Sequence, residues 1–169
     1  MRNQICSSCQ SACIAPSGHS DLLIIAESPT KTDLNAGRLF STSPRFTTVG
    51  HVMRKELARV GLDLPQFTIV SLWQHEPNKK EECFRLGYET VLDNAKNKKA
   101  ILLIGAEVVE TFTKYKVSDT SGLQVDSPIL SAPIIYSLVN PSMALARSMG
   151  EVRLGIEKFS RRLELDGLA

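Results

Sequence analysis

The sequence lacks several features that would place the protein in a specialised class. No apolar run approaches the ~20 residues that span a membrane, and Arg2 is not followed by the apolar stretch of a signal peptide. The net charge is only +2, which does not by itself indicate a nucleic-acid partner. We therefore expect a soluble, cytoplasmic protein with no membrane association. Its 169 residues suit one domain, residues 1–169.

Nucleotide-binding signatures are also missing. The chain has neither a glycine-rich dinucleotide fingerprint nor a P-loop, which disfavours the α/β enzymes that use them. Basic residues do form short clusters, and such clusters are more often a solvated face than a phosphate site. The clusters are residues 54–55, 79–80, 96–99 and 161–162.

Cysteine is scarce, and three of the four cysteines fall in the opening segment, residues 1–20. In a reducing compartment, a Cys-x-x-Cys spacing such as Cys6 to Cys9 favours a metal or cluster over a disulfide. The turn between the two thiolates can point both sulfurs inward. The pair then needs two further ligands, or it remains a reduced loop without metal. The candidate ligands are Cys13, His19, His75 and Cys83.

Short apolar runs alternate with amphipathic segments along the rest of the chain. The apolar runs predict strands at residues 22–26, 67–72, 100–104 and 133–139. The amphipathic segments predict helices at residues 48–60, 81–94, 106–115 and 151–165. This alternation predicts a single-domain α/β fold, a three-layer α/β/α sandwich with a central four-stranded parallel sheet. Residues 116–131 are rich in turn formers, and we assign them no element.

Four residues with special properties stand just after or at the ends of the predicted strands. Right-handed crossovers gather the carboxyl ends of parallel strands at one edge, where open α/β sheets bind ligands. This edge would hold Glu27, Ser71, Gly105 and Asn140 together. An ordinary strand-to-loop junction with solvated polar residues is the alternative.

Several short motifs follow one another in a recognisable order. After the Cys-x-x-Cys pair come Ala-Glu-Ser-Pro-Thr at residues 26–30, Gly-Arg-Leu-Phe at 37–40, and Asn-Pro-Ser at 140–142. Leu145 and Arg147 lie just downstream. This order resembles the uracil-DNA glycosylase superfamily, and most closely its iron–sulfur branch, family four. The resemblance spans nearly the whole chain, from Cys6 to about Arg147.

The resemblance implies a DNA glycosylase that removes uracil or a related deaminated or modified base. Glu27 would stabilise the sugar cation or orient the attacking water, Asn140 would donate an amide N–H to a base oxygen, and Phe40 would stack on the base. A core phenylalanine is the alternative for Phe40. Single- or double-stranded DNA would be the partner of a monomeric protein. Further base-binding residues would be Ser28 and Ser71, and DNA-binding residues Ser142, Leu145 and Arg147.

The resemblance also implies a bound cofactor, an iron–sulfur cluster of the 4Fe-4S type, with zinc as the alternative. Cys6, Cys9 and Cys83 match three cluster ligands of the family, and His75 stands at the place of the remaining cysteine. Imidazole can ligate iron or zinc. Cys13 in place of His75 is the rival ligand set.

Three positions depart from family four. Asn140 replaces a histidine, although the mismatch-specific branch of the superfamily uses Asn-Pro-Ser. Ser71 replaces an asparagine that reads the pyrimidine edge, and a hydroxyl cannot offer the paired donor and acceptor of a carboxamide. Thr30 replaces a glycine. These departures leave the base preference open. A non-catalytic DNA- or base-binding member is the alternative function, and a metal-stabilised protein-interaction factor is a third.

Overall fold

A computed structural model describes residues 4–142 and 149–169. The strands are Gln4–Ile5 (β1), Ala12–Cys13 (β2), Leu22–Ala26 (β3), Thr68–Ser71 (β4), Ala100–Ile104 (β5) and Ile134–Leu138 (β6). The helices are Lys31–Ala36 (α1), Val49–Arg59 (α2), Glu81–Ala95 (α3), Ala106–Phe112 (α4), Val117–Thr120 (α5) and Met149–Leu165 (α6), with a 3-10 turn at Leu64–Gln66. No helix in the described ranges is long and apolar enough to cross a membrane.

The central sheet is four-stranded and entirely parallel, in the order β4–β3–β5–β6. This confirms the predicted three-layer α/β/α architecture. Register aligns the strand ends, since Ala26 pairs with Ser71 and Ile104 pairs with Leu138. The residues that follow these strands therefore meet at one edge of the sheet.

Alternate strand residues supply the two halves of the core. Ile24 and Ala26 belong to the half that packs against α2 and α6, and Leu23 and Ile25 belong to the half that packs against α3 and α4. This alternation follows from the two-residue period of a strand. Both faces are apolar because helices cover both, as expected of a buried parallel sheet.

A buried carboxylate joins α2 and α6, the two helices that cover one face of the sheet. Glu56 of α2 is only 1% exposed, and its oxygens accept hydrogen bonds from Arg153 of α6 at 3.1 and 3.3 Å. Arg59 lies 3.5 Å from the same carboxylate. A buried charge with two cationic partners is compensated, and it fixes how α6 sits on α2.

Four of the described elements, and the 3-10 turn at Leu64–Gln66, were not predicted. The opening segment forms the β1–β2 hairpin, residues after β3 form α1, and α5 interrupts the turn-rich stretch. Each is at most six residues long, too short for an apolar period to appear in the sequence. Helix α1 does carry a capping box, in which Thr30 and Asp33 satisfy each other's backbone N–H.

Candidate functional site

A carboxylate and a carboxamide meet at the carboxyl edge of the sheet. Glu27 follows β3, and its Oε2 atom accepts a hydrogen bond from Asn140 Nδ2, beyond β6, at 3.2 Å. Its Oε1 atom accepts from the backbone N–H of Glu107, in the first turn of α4, at 3.1 Å. Both oxygens are thereby held, and the carboxylate has one orientation. Asn140 is also fixed, because its Oδ1 atom accepts from the backbone N–H of Ser142 at 3.0 Å.

Gly105 makes this arrangement possible. It lies between β5 and α4 with a φ of +100°, a conformation that favours glycine. A Cβ atom at this position would lie 2.3 Å from the carboxylate carbon of Glu27. Glu27, Gly105 and Asn140 were predicted to lie at one edge of the sheet, and the structure brings these three together.

A cavity of about 210 Å³ opens beside this pair. A cavity of roughly 150 Å³ is enough to bind benzene, so this one can receive a molecule with a single ring. Its lining includes five of the residues singled out from the sequence: Glu27, Ser28, Phe40, Asn140 and Ser142. Carboxylate, hydroxyl, amide and aromatic groups thus converge on one small space.

Phe40 is held in an unusual backbone conformation. Its φ is +54°, in the left-handed region, which is rare for a bulky residue and costs roughly 1–3 kcal/mol. Arg54 Nε donates to the Phe40 carbonyl at 3.2 Å, and Gly50 packs against the same carbonyl so closely that a Cβ atom would lie 2.4 Å from it. Phe40 is 5% exposed and also contacts the core, so its ring both packs in the core and lines the cavity.

Ser71 lies near the site but does not line the cavity. It is 2% exposed, and its position opposite Ala26 puts it on the sheet face that carries the cavity. Its hydroxyl is the one buried side-chain oxygen or nitrogen without a hydrogen-bond partner in the part of the chain that the structure describes. Such a group is uncommon in folded proteins and calls for a specific explanation.

Two predicted DNA-binding residues, Leu145 and Arg147, lie outside the described residues. Ser142, the third, is exposed at the mouth of the cavity.

A second group of side chains forms a candidate metal site. Cys6, Cys9, His75 and Cys83 offer ligand atoms that all lie within 4.8 Å of one another. The Cys6 and Cys83 sulfurs are 3.9 Å apart, and Cys9 Sγ is 3.4 Å from His75 Nε2. Three cysteines and a histidine from the hairpin, the loop after β4 and the start of α3 therefore converge, and they can bind a metal.

Surrounding groups prepare these ligands. His75 Nδ1 lies 2.7 Å from the carbonyl oxygen of Glu76. A carbonyl only accepts, so Nδ1 carries the proton and Nε2 keeps its lone pair for a metal. Asn78 Nδ2 donates to Cys83 Sγ at 3.5 Å. Hydrogen bonding with Ser11 lowers the pKa of the Cys9 thiol to about 6, which favours the thiolate that binds metals.

The two other candidate ligands stand apart from this group. Cys13 contacts the carbonyl of Ser11 instead, and burial raises the pKa of its thiol to about 11. His19 is exposed and lies outside the cluster. The structure thus groups His75, rather than Cys13, with the other three ligands.

The two sites are connected through Trp73. Its backbone N–H donates to the carbonyl of Glu27 at 2.8 Å, and its indole N–H donates to the side chain of Glu107 at 3.0 Å. His75 follows two residues later in the same loop. The loop that carries a metal ligand therefore also supports the residues that hold the Glu27 carboxylate.

Glu107 and Asp33 were not among the site residues predicted from the sequence. Asp33 is 5% exposed; its carboxylate accepts from Thr30 N at 2.9 Å and from Ser41 N at 2.8 Å, fixing the backbone just after Phe40. The Thr-x-x-Asp capping box at residues 30–33 was a signal for Asp33. Glu107 contributes its backbone N–H, and no side-chain pattern in the sequence predicts such a contact.

The chain was compared with known proteins. No family model matches it, and no curated protein matches its sequence. Any function assigned to the site rests on side-chain geometry and on the motifs themselves.

Proposed function

We propose that the protein is a DNA glycosylase that hydrolyses the N-glycosidic bond of uracil or a related deaminated or modified base. The observation that carries this proposal is the Glu27–Asn140 pair beside a cavity of single-ring size that Phe40 also lines. A flipped base needs such a pocket, with an aromatic surface and fixed polar groups.

The hydrolysis needs one group that stabilises the sugar cation and another that stabilises the departing base. The bond from C1′ of the sugar to the base nitrogen breaks, and its electron pair leaves with the base. The sugar becomes cation-like, water adds to C1′, and the proton lost by the water ends on the departing base. A carboxylate such as Glu27 stabilises the cation, accepts the proton from the water, and becomes deprotonated again when that proton passes to the departing base.

Asn140 is suited to the departing base. A carboxamide nitrogen carries two N–H bonds, and Glu27 accepts one of them. Within the described ranges no acceptor takes the other, so it is available for a base oxygen as negative charge develops there. Its carbonyl is occupied by Ser142, so the amide orientation is set before the base arrives.

The unpartnered hydroxyl of Ser71 supports a polar ligand on the sheet face that carries the cavity. A buried hydroxyl without a partner costs free energy in the unliganded protein. Because Ser71 does not line the cavity, we propose that a water in the cavity links its hydroxyl to a polar edge of the bound base. A serine in place of a carboxamide relaxes discrimination between bases by roughly 1–3 kcal/mol, so we expect activity on more than one modified base.

The test is base release from oligonucleotides that carry uracil or one of a panel of deaminated and modified bases. Glu27→Gln keeps the size of the side chain but removes its charge, and we expect the rate to fall at least about 100-fold. Glu110→Gln, on the exposed face of α4, is the matched control and should leave the rate unchanged. An unchanged rate in Glu27→Gln removes Glu27 from the mechanism.

Failure to release any base would remove the enzymatic function. Tight, salt-dependent DNA binding with intact substrate would then identify a non-catalytic DNA-binding protein. Failure to bind DNA at low salt would leave a metal-stabilised protein-interaction factor.

For the metal site, we propose a single metal ion with tetrahedral coordination, and zinc as that ion. In a tetrahedral site, two sulfurs that each lie about 2.3 Å from zinc are about 3.8 Å apart, close to the 3.9 Å between Cys6 and Cys83. In a four-iron cluster each ligand binds a different iron, so the ligand atoms need a wider spacing. The distances therefore support zinc over the iron–sulfur cluster that the resemblance implies. Bound zinc would supply a structural cross-link.

A further inference from the structure

An exposed aromatic residue stands in the loop between Phe40 and α2. Phe46 is 60% exposed, more than any other aromatic side chain in the described ranges. Its neighbour Arg45 is exposed as well. Burying a phenylalanine is normally favourable by roughly 1.5–3 kcal/mol, so this exposed ring is free to cover something outside the fold.

The loop is anchored at the cavity. The residues that flank it, Phe40 and Val49, both line the cavity beside Glu27. Its base is closed by Thr48 Oγ1, which donates to the Ser41 carbonyl at 2.8 Å. Both closing residues are buried, whereas residues 44–47 are all exposed. A firmly held base thus presents Arg45 and Phe46 to solvent beside the cavity.

The surroundings of the loop are cationic. Arg38, Arg45 and Arg54 are exposed, and no carboxylate pairs with any of them in the described part of the chain. Lys99, by contrast, is paired with Asp21 at 2.9 Å. Unpaired arginines favour a polyanionic partner such as a phosphate backbone.

A groove gives that partner a path. It has a volume of about 800 Å³ and shares Leu39 with the cavity. Arg38 and Arg54 both line it. A strand whose base enters the cavity can therefore continue along a surface with two cations.

We propose that Phe46 and Arg45 bind the nucleotide next to the one whose base occupies the cavity. Phe46 stacks on the neighbouring base, and Arg45 contacts its phosphate. When one base leaves the stack, its neighbour loses a stacking partner, and an exposed ring replaces that partner without reading sequence. This inference rests on the proposed function, because it takes DNA as the ligand of the cavity.

The test uses the intact chain and a short single-stranded oligodeoxynucleotide that carries one uracil. Phe46→Trp places a fluorescent ring on the loop, and we expect it to be quenched when the DNA binds, with affinity kept. Tyr115→Trp is the matched control: Tyr115 is 41% exposed and lies beyond the end of α4 that points away from the cavity. It should show no quenching beyond the wild-type signal of Trp73.

Two further variants measure the contribution to binding. Phe46→Ala should weaken binding about tenfold, the loss expected for one base–aromatic stack. Arg45→Gln should reduce the slope of log affinity against log salt by about one. Neither measurement requires release of the base.

The outcomes separate this inference from the proposed function. If the wild type binds the oligonucleotide but Phe46→Trp is not quenched, the loop does not contact the strand and this inference is wrong. If the wild type binds no DNA at low salt, both are wrong. If quenching occurs but no base is ever released, the strand contact stands and the catalytic proposal falls.

Discussion

At the scale of single residues, two features raise the free energy of the unliganded protein. Phe40 holds a left-handed backbone, and Ser71 keeps a buried hydroxyl without a partner. Both lie on the sheet face that carries the cavity beside Glu27 and Asn140. Strain and unsatisfied polar groups collect at functional sites more than elsewhere. Their position beside a polar cavity is therefore a stronger indication of a ligand site than any one side chain.

The unpaired hydroxyl of Ser71 gives a prediction for stability. Ser71→Ala removes a buried polar group that bonds to nothing, so the free energy of unfolding should stay the same or rise by up to about 1 kcal/mol. The control is Ser137→Ala, an equally buried serine whose hydroxyl donates to the backbone of Thr120. It should lower the free energy of unfolding by about 1–3 kcal/mol. Denaturant titration measures both.

Equal losses in the two variants would show that Ser71 has a partner after all. The rate of base release by Ser71→Ala, measured on the same variant, tests whether Ser71 also contributes to function. If Ser71 reads the base, the variant should lose activity although its stability is kept.

At the scale of elements, α1 acts as a clamp for the loop that follows it. One carboxylate, that of Asp33, caps the helix at Thr30 and binds the N–H of Ser41 just after Phe40. The helix has only six residues, so its own hydrogen bonds are too few to keep it folded without such anchors.

Asp33→Ala should therefore lower the free energy of unfolding by about 2–3 kcal/mol, since it removes a helix cap and leaves a buried N–H without a partner. Asp33→Asn retains one acceptor oxygen and is the matched control, with a smaller loss. Amide hydrogen exchange at Ser41 reports the local effect, and we expect it to be faster in the alanine variant. Unchanged exchange at Ser41 would contradict the clamp.

The larger elements were predictable from the sequence because their signals are local. The apolar runs at Leu22–Ala26 and Ala100–Ile104 are strands with the predicted bounds. Helix α1 was missed, although its capping box is visible, because six residues show no apolar period. The β1–β2 hairpin was missed for the same reason. The support of Glu27 by the backbone of Glu107 depends on tertiary contacts, and no local pattern specifies it.

At the scale of the whole molecule, the metal site ties together distant parts of the chain. Cys9 and His75 are 66 residues apart, and Cys6 and Cys83 are 77 residues apart. A metal that binds these ligands only in the folded chain stabilises the folded state. It also holds together segments whose approach costs loop-closure entropy. Through Trp73, the same loop also supports Glu27. Loss of the metal should therefore loosen the sheet edge around Glu27 as well as the hairpin.

Metal analysis and thermal unfolding test this arrangement together. We expect one zinc per chain and a colourless protein after anaerobic purification; a brown protein with iron and sulfide would establish the iron–sulfur cluster instead. Chelation should lower Tm by about 10 °C, which corresponds to roughly 3 kcal/mol for a chain of this size. His75→Ala should lose the metal, because it removes the ligand whose Nε2 faces Cys9. Cys13→Ala is the control, since Cys13 lies outside the group, and it should keep a full equivalent of metal. Loss of metal in Cys13→Ala together with full metal content in His75→Ala would exchange the two ligands and contradict the site described here.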